Sequence, residues 1–228
     1  MKLAILIPAY NEEKALGQVI KTLPKEFPGI TQIEVVVVND GSTDKTAEVA
    51  RQNNVTVLSH VINRGLGGAL GTGFEYIRNH NFDVLVTFDA DGQHNPDDIY
   101  PVIKPLIEKN AEVVIGTRMK ERKGMPWYRQ IGNFGLNFIT FMFYWVWTTD
   151  SQSGLRAFGK KAIDQIEIVA NRMEVSSDFF NEIGRLQLKM AEVPIQPIYT
   201  EYSLAKGQKN INGFSILFKI IYRRLFAK

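Results

Sequence analysis

Two carboxylates two positions apart close an apolar segment: Asp89 and Asp91 in VLVTFDADGQH. Val84, Leu85, Val86 and Phe88 favour a buried strand, and the acids fall where that strand must end. Hard divalent cations such as Mg2+ or Mn2+ take oxygen ligands and bridge phosphates, so an i, i+2 pair of acids can share one such ion. A solvated acidic turn gives the same pattern, so the pair needs company. Two further loops supply it. PAYNEE follows Ile7 and carries Tyr10 and Glu12, and NDGSTD follows Val38 and carries Asp40. Tyr10 can stack on a base, and Asp40 can accept from a base N–H or a ribose hydroxyl. Asp89 and Asp91 would then hold a cation on the diphosphate of the same nucleotide.

These loops meet only if their strands run parallel, with all three carboxyl ends at one edge of the sheet. The hydrophobic pattern predicts that arrangement. Leu3 to Ile7, Ile33 to Val38, Val55 to Leu58, the aspartate strand and Glu112 to Gly116 are short apolar runs. Helical spacing separates them over Glu12 to Leu23, Asp44 to Gln52 (capped by Ser42 or Thr43), the glycine-rich segment through Arg78, and Pro96 to Asn110. Alternation of this kind is the signature of a doubly wound α/β fold. Asn63-Arg64-Gly65-Leu66-Gly67-Gly68-Ala69 loosely resembles a dinucleotide fingerprint, but the spacing is wrong and the expected later acid is missing. It fits either close helix–sheet packing or close approach of backbone to a nucleotide.

The pattern changes after Gly116. Residues 118–129 are basic, and 130–149 are uncharged and rich in Phe, Tyr and Trp. Ile131 to Trp147 is 17 residues long, at the lower limit for a membrane span, and Asn133, Asn137 and two glycines weaken that reading. Helices lying in a membrane interface fit better, since Trp and Tyr favour that depth. A buried helix pair or a dimer contact is the alternative, which leaves a homo-oligomer open. Gly154 to Phe158 is expected as a strand. Lys160 to Ile168 and Ser177 to Lys189 are expected as helices. Val193 to Tyr199 is expected at a sheet edge, because Pro194 and Pro197 forbid a central place. Phe214 to Phe226 reads as a basic amphipathic helix.

Composition sets outer bounds. The chain has 228 residues and is 45% hydrophobic, enough for one sizeable core. The absence of cysteine excludes disulfides, thiol chemistry and zinc–cysteine sites. A net charge of +3 suits anionic lipid or phosphorylated ligands, and no nucleic-acid reading motif accompanies the basic residues. No signal peptide is recognisable.

PAYNE, NDGSTD, NRGLGGALGTG and DADGQH, in this order, resemble the inverting glycosyltransferases of family 2. DSQSGLRAF, after an aromatic stretch, resembles the dolichyl-phosphate mannosyltransferase and polyprenyl-phosphate glycosyltransferase branch. The resemblance implies one GT-A domain over 1–228: a nucleotide-sugar half (1–117), a membrane-facing segment (118–150), an acceptor half (151–210) and the C-terminal helix (211–228). It implies a mostly parallel twisted sheet flanked by helices, a nucleoside-diphosphate sugar donor and Mg2+ or Mn2+. By similarity, Pro8, Ala9, Tyr10, Glu12, Asp40, Asp89 and Ala90 line the nucleotide, and Asp89, Asp91 and Gln93 hold the metal. Arg118 corresponds to the arginine near the donor phosphates. Arg129, Asn133 and Arg156 fall on the acceptor-phosphate side, with Asn133 replacing the more usual serine, and Lys206 and Lys209 stand in for the branch's later basic residues. The implied setting is peripheral, on the cytoplasmic face of a membrane, with no integral anchor.

The chemistry then depends on the acceptor. A lipid monophosphate has a second pKa near 6, so its oxygen is already ionised at neutral pH and needs no base. A sugar hydroxyl needs one, and Asp178 in MEVSSDFF is the candidate. A nucleotidyltransferase is the remaining alternative. It should carry a glycine-rich basic loop after the first strand, where this chain has PAYNEE.

Overall fold

The computed structural model describes residues 1–118, 135, 137, 138, 140–142, 144–170 and 175–198. Seven strands form one sheet: β1 (Lys2–Ala9), β2 (Gln32–Asn39), β3 (Thr56–Ser59), β4 (Val84–Thr87), β5 (Val113–Thr117), β6 (Arg156–Gly159) and β7 (Met190–Pro194). Their order is β3-β2-β1-β4-β6-β5-β7. The β1, β2, β3 and β4 pairings are parallel, as is β5 with β7, whereas β6 runs antiparallel to both its neighbours.

Period-two alternation along β1 divides the core. Leu3, Ile5 and Ile7 face α1 (Leu16–Thr22) and α4 (Ile99–Ile107). Ala4 and Leu6 face α3 (Leu66–Asn79), α5 (Lys160–Gln165) and α6 (Val175–Arg185). The remaining helix, α2, spans Thr46–Gln52. Because β1 is covered on both faces, Leu3 to Ile7 is buried and apolar without interruption, as the middle of a central parallel strand must be. On the α3 side the approach is close. A Cβ on Gly73 would lie 2.3 Å from Leu6 Cδ1.

Several expected boundaries move, each for a local reason. The first helix begins at Leu16 and not Glu12, since Asn11 adopts a left-handed φ of 53° and residues 11–13 hydrogen-bond to the neighbouring loop. Neither Ser42 nor Thr43 caps α2; the Asp44 carboxylate accepts from the Thr46 amide at 2.9 Å. The Gly154 to Phe158 strand is shifted to Arg156–Gly159. The last strand is an edge strand, but it ends at Pro194. Beyond it the chain continues as single contacts: Gln196 N–H donates to Asp98 Oδ2 (2.8 Å) and Ile198 N–H to Gln93 O (2.8 Å). The predicted helix over 214–226 lies outside the described residues, as do Arg129, Asn133, Lys206 and Lys209.

Candidate active site at the carboxyl edge of the sheet

The first two loops are laced together. Asn11 N–H donates to Ser42 Oγ (3.0 Å), and its side-chain oxygen accepts from Thr43 N–H (2.9 Å). Glu12 N–H donates to Thr46 Oγ1 (2.8 Å), and Glu13 exchanges contacts with Asp44 and Lys45. Asparagine tolerates the left-handed backbone that this reversal requires. Tyr10 sits at the rim, 46% exposed, while Ala9 is buried and Pro8 half-buried.

Asp40 is only 3% exposed. Its Oδ1 contacts His60 Nδ1 (2.6 Å) and accepts from Arg64 N–H (2.9 Å), and its Oδ2 accepts from Gly65 N–H (2.7 Å). The far side of the His60 ring meets Thr72 Oγ1 at 2.9 Å. The carboxylate expected on the nucleotide is thus first the anchor of the glycine-rich turn that opens α3. His60, which its sequence context marks as structural or exposed, is the middle of that connection.

Asp89 and Asp91 follow β4, with Ala90 buried between them. Burial raises the Asp91 carboxyl above its ordinary value, and the Asp89 charge raises it further. Gln93 offsets this only in part, through its backbone N–H on Oδ1 (3.0 Å) and its Nε2 on Oδ2 (2.5 Å). Burial also pushes Asp89 up, but His94, Arg118 and Arg156 outweigh it and hold the group below its usual value. Two carboxylates kept close at an electrostatic penalty are what a hard cation relieves. A cation of this kind is held by one or two carboxylates and completed by substrate phosphates. Among the described residues no cluster of three or more acids, histidines or cysteines could hold a metal alone. The donor set therefore fits a cation shared with a diphosphate, with Gln93 Oε1 as the further oxygen.

Arg118 leaves β5 towards the same edge. Its backbone N–H, Nε and Nη2 all donate to the Asp150 carboxylate, at 3.1, 2.8 and 2.8 Å. The Asp150 side chain is fully buried and that of Arg118 is 24% exposed, so the acid fixes the direction of a partly accessible cation.

Arg156, expected on the acceptor-phosphate side, lies largely buried behind the Ser151–Ser153 turn. It is 3% exposed, donates to Ser153 O (2.8 Å) and Ser151 O (2.9 Å), and lies 5.0 Å over the Phe179 ring. Burial brings its pKa down to about 10, so it stays charged at neutral pH. It braces the Ser151–Ser153 turn and lines a small pocket beside Asp89 and Gly154. Asp178 accepts from Ala170 N–H at 2.8 Å, while Val175, Ser176 and Phe179 of the same helix line a small pocket against Asp89.

Residues 4–167 match glycosyl transferase family 2. This chain belongs to that family. An uncharacterised protein of Methanocaldococcus jannaschii is 48% identical over 97% of this chain and 92% of its own length. The UDP-N-acetylglucosamine–dolichyl-phosphate N-acetylglucosaminyltransferase of Methanococcus voltae is 39% identical over 98% of this chain and 95% of its own. Glucosyl-3-phosphoglycerate synthase of Mycobacterium tuberculosis, solved with Mn2+, UDP-glucose and phosphoglyceric acid, superposes with a TM-score of 0.74. That superposition covers 98% of this chain and 79% of the synthase at 18% identity, a likeness of fold. The chain is accordingly a family 2 glycosyltransferase with the GT-A fold. The role of Asp150 in holding Arg118 had no signal in the sequence beyond its place in the DSQSGLRAF segment.

Proposed function

We propose that this glycosyltransferase moves a sugar, with inversion, from a nucleoside-diphosphate sugar to a polyprenyl or dolichyl phosphate at the cytoplasmic face of a membrane. The observation that carries the reading is that Asp89 and Asp91, after β4, and Arg118, after β5, leave the same edge of the sheet, with the Arg118 charge acting on Asp89, in a chain that aligns over nearly its full length with a dolichyl-phosphate transferase. Mg2+ or Mn2+, when bound, would supply Lewis-acid stabilisation of the diphosphate leaving group. Asp89, Asp91 and Gln93 would hold it.

The other steps belong to the chain's own groups. Tyr10 offers a face for the base, and the anchored 63–65 turn brings backbone close to the nucleotide. Arg118, aimed by Asp150, offsets charge as it develops on the departing diphosphate. The acceptor phosphate attacks the anomeric carbon in line. Already ionised, it needs no proton removed. The engagement of Asp178 with Ala170 favours this over the hydroxyl-acceptor reading, in which Asp178 would serve as base. Arg129, Asn133, Lys206 and Lys209 are proposed for the acceptor phosphate.

Phe138, Met142, Trp145 and Trp147 are each at least half exposed and supply an apolar face for the membrane surface. Among the described residues no helix is long and apolar enough to cross a bilayer.

The test is a panel of UDP- and GDP-sugars with Mg2+ or Mn2+ and a polyprenyl phosphate. Sugar-lipid and free nucleoside diphosphate are expected. Release of pyrophosphate from a nucleoside triphosphate and a sugar phosphate, without sugar-lipid, would instead mark a nucleotidyltransferase.

A further inference from the structure

Asp89 is held from two sides by residues distant in sequence. On one side, a Cβ built on Gly154 would lie 2.3 Å from Asp89 Oδ2 and 2.7 Å from Oδ1. Only glycine leaves room for the carboxylate there. The glycine is itself fixed, because Thr87 Oγ1 donates to its carbonyl at 2.7 Å and Arg156 braces the preceding turn through Ser153 O. On the other side, His94 Nε2 stands 2.8 Å from Asp89 Oδ2. The contact is close but not an aligned hydrogen bond, and neither ring nitrogen makes one among the described residues. The ring is 6% exposed and packs edge-on against Phe88, 5.4 Å between centroids. It cannot swing away without opening the core.

We propose that Gly154 and His94 are positioning residues for the metal: together they form a slot that sets the Asp89 carboxylate at one angle towards the cation. Mg2+ demands near-ideal octahedral geometry at about 2.0–2.1 Å, so a carboxylate pushed aside by one methyl group loses much of its bond. The slot joins the two halves of the chain, since Gly154 comes from the acceptor half and Asp89 from the donor half. The inference rests on the proposed metal role of Asp89 and Asp91.

The experiment is Mn2+ binding to the purified protein in the presence of UDP or GDP, followed by electron paramagnetic resonance against the Mn2+–nucleotide signal without protein, with circular dichroism and thermal unfolding run on each variant. Gly154→Ala and His94→Phe are expected to weaken Mn2+ by about 10- to 100-fold while the fold persists, the usual effect of removing an outer-shell partner. His94→Gln, which keeps a donor at similar reach, should recover part of that loss. Asp91→Ala is the reference. If Asp91→Ala abolishes binding while Gly154→Ala and His94→Phe match the parent, the slot is overturned and the metal reading stands. If Asp91→Ala also matches the parent, the metal reading itself falls. Should Gly154→Ala fail to fold, His94→Phe alone decides.

Discussion

The Asp40 carboxylate accepts the Gly65 amide at 2.7 Å across 25 residues of chain. Through this bond and those to Arg64 and His60, the end of β2 controls the turn that opens α3. Replacing Asp40 by alanine leaves three donors without their acceptor. An unsatisfied buried donor costs about 1–3 kcal/mol, and relaxation of the turn recovers part of it, so we expect a total loss of about 3 kcal/mol in denaturant unfolding. Asp40→Asn, which keeps one acceptor oxygen, should lose less. In both variants KM for the donor should rise more than kcat falls, because the turn is offered to the nucleotide and not to the acceptor.

Asp150 and Arg118 form one unit. Removing one partner of a buried pair costs about 3–5 kcal/mol, and the partial exposure of Arg118 lowers the expectation to about 1–3 kcal/mol for Arg118→Ala. Arg118→Lys keeps the charge but not the two-pronged geometry, and should still reduce kcat. Asp150→Asn should reduce it as well, although Asp150 touches no substrate in this scheme. A double variant no slower than the worse single one would show that the two act together.

Glu182 gives a pH signature of stability. Burial opposes its charge, yet the Arg185 guanidinium (2.6 and 2.8 Å) and the Glu167 N–H (3.1 Å) outweigh it and hold the carboxyl below its ordinary 4.5. A lowered folded-state pKa means stability that is present above 4.5 and lost as pH falls through the folded value. The stability gap between the parent and Glu182→Gln should therefore be full at neutral pH and close on acidification. Urea unfolding as a function of pH measures it, and a gap that widens towards acid would contradict the assignment.

Gly73 and Gly135 should respond in opposite ways to alanine. At Gly73 the added Cβ meets Leu6 side-chain carbons at 2.3, 2.5 and 2.9 Å, and Leu6 is fully buried. Overpacking of this kind costs about 1–3 kcal/mol. At helical Gly135 the Cβ meets nothing within 4 Å among the described residues, so alanine should gain up to about 1 kcal/mol from helix propensity. Thermal unfolding of the two variants checks both signs.

Residues 1–117 were legible because Leu3 to Ile7 of β1, Val36 to Val38 of β2 and Val84 to Val86 of β4 are buried and continuously apolar. Acids at their ends stood out against that background. The reversal of β6 was not legible, since alternation in burial carries no strand direction. The burial of Arg156 was not legible for a related reason: arginine reads as a surface residue, and of the groups that accommodate it, the two serine carbonyls and the Asp150 charge are near in sequence but the two phenylalanine rings and the Asp89 charge come from distant parts of the chain. The partners of Asp40 were hidden as well, because two of its donors are backbone amides, which every residue except proline possesses.

That reversed strand has a consequence for how such an enzyme diversifies. Ile115 pairs with Arg156, and Gly116 N–H donates to Leu155 O at 2.9 Å, so the chain departs from the sheet and rejoins it at one spot. A connection whose two ends already touch can lengthen cheaply, at about 0.6 kcal/mol for each doubling. Chain can be added between Arg118 and Gly135 without moving Asp150, which holds Arg118, or Gly154, which stands against Asp89. If the proposed roles hold, grafting the 119–134 stretch from one relative into another should change the acceptor and leave the KM for the sugar nucleotide unchanged.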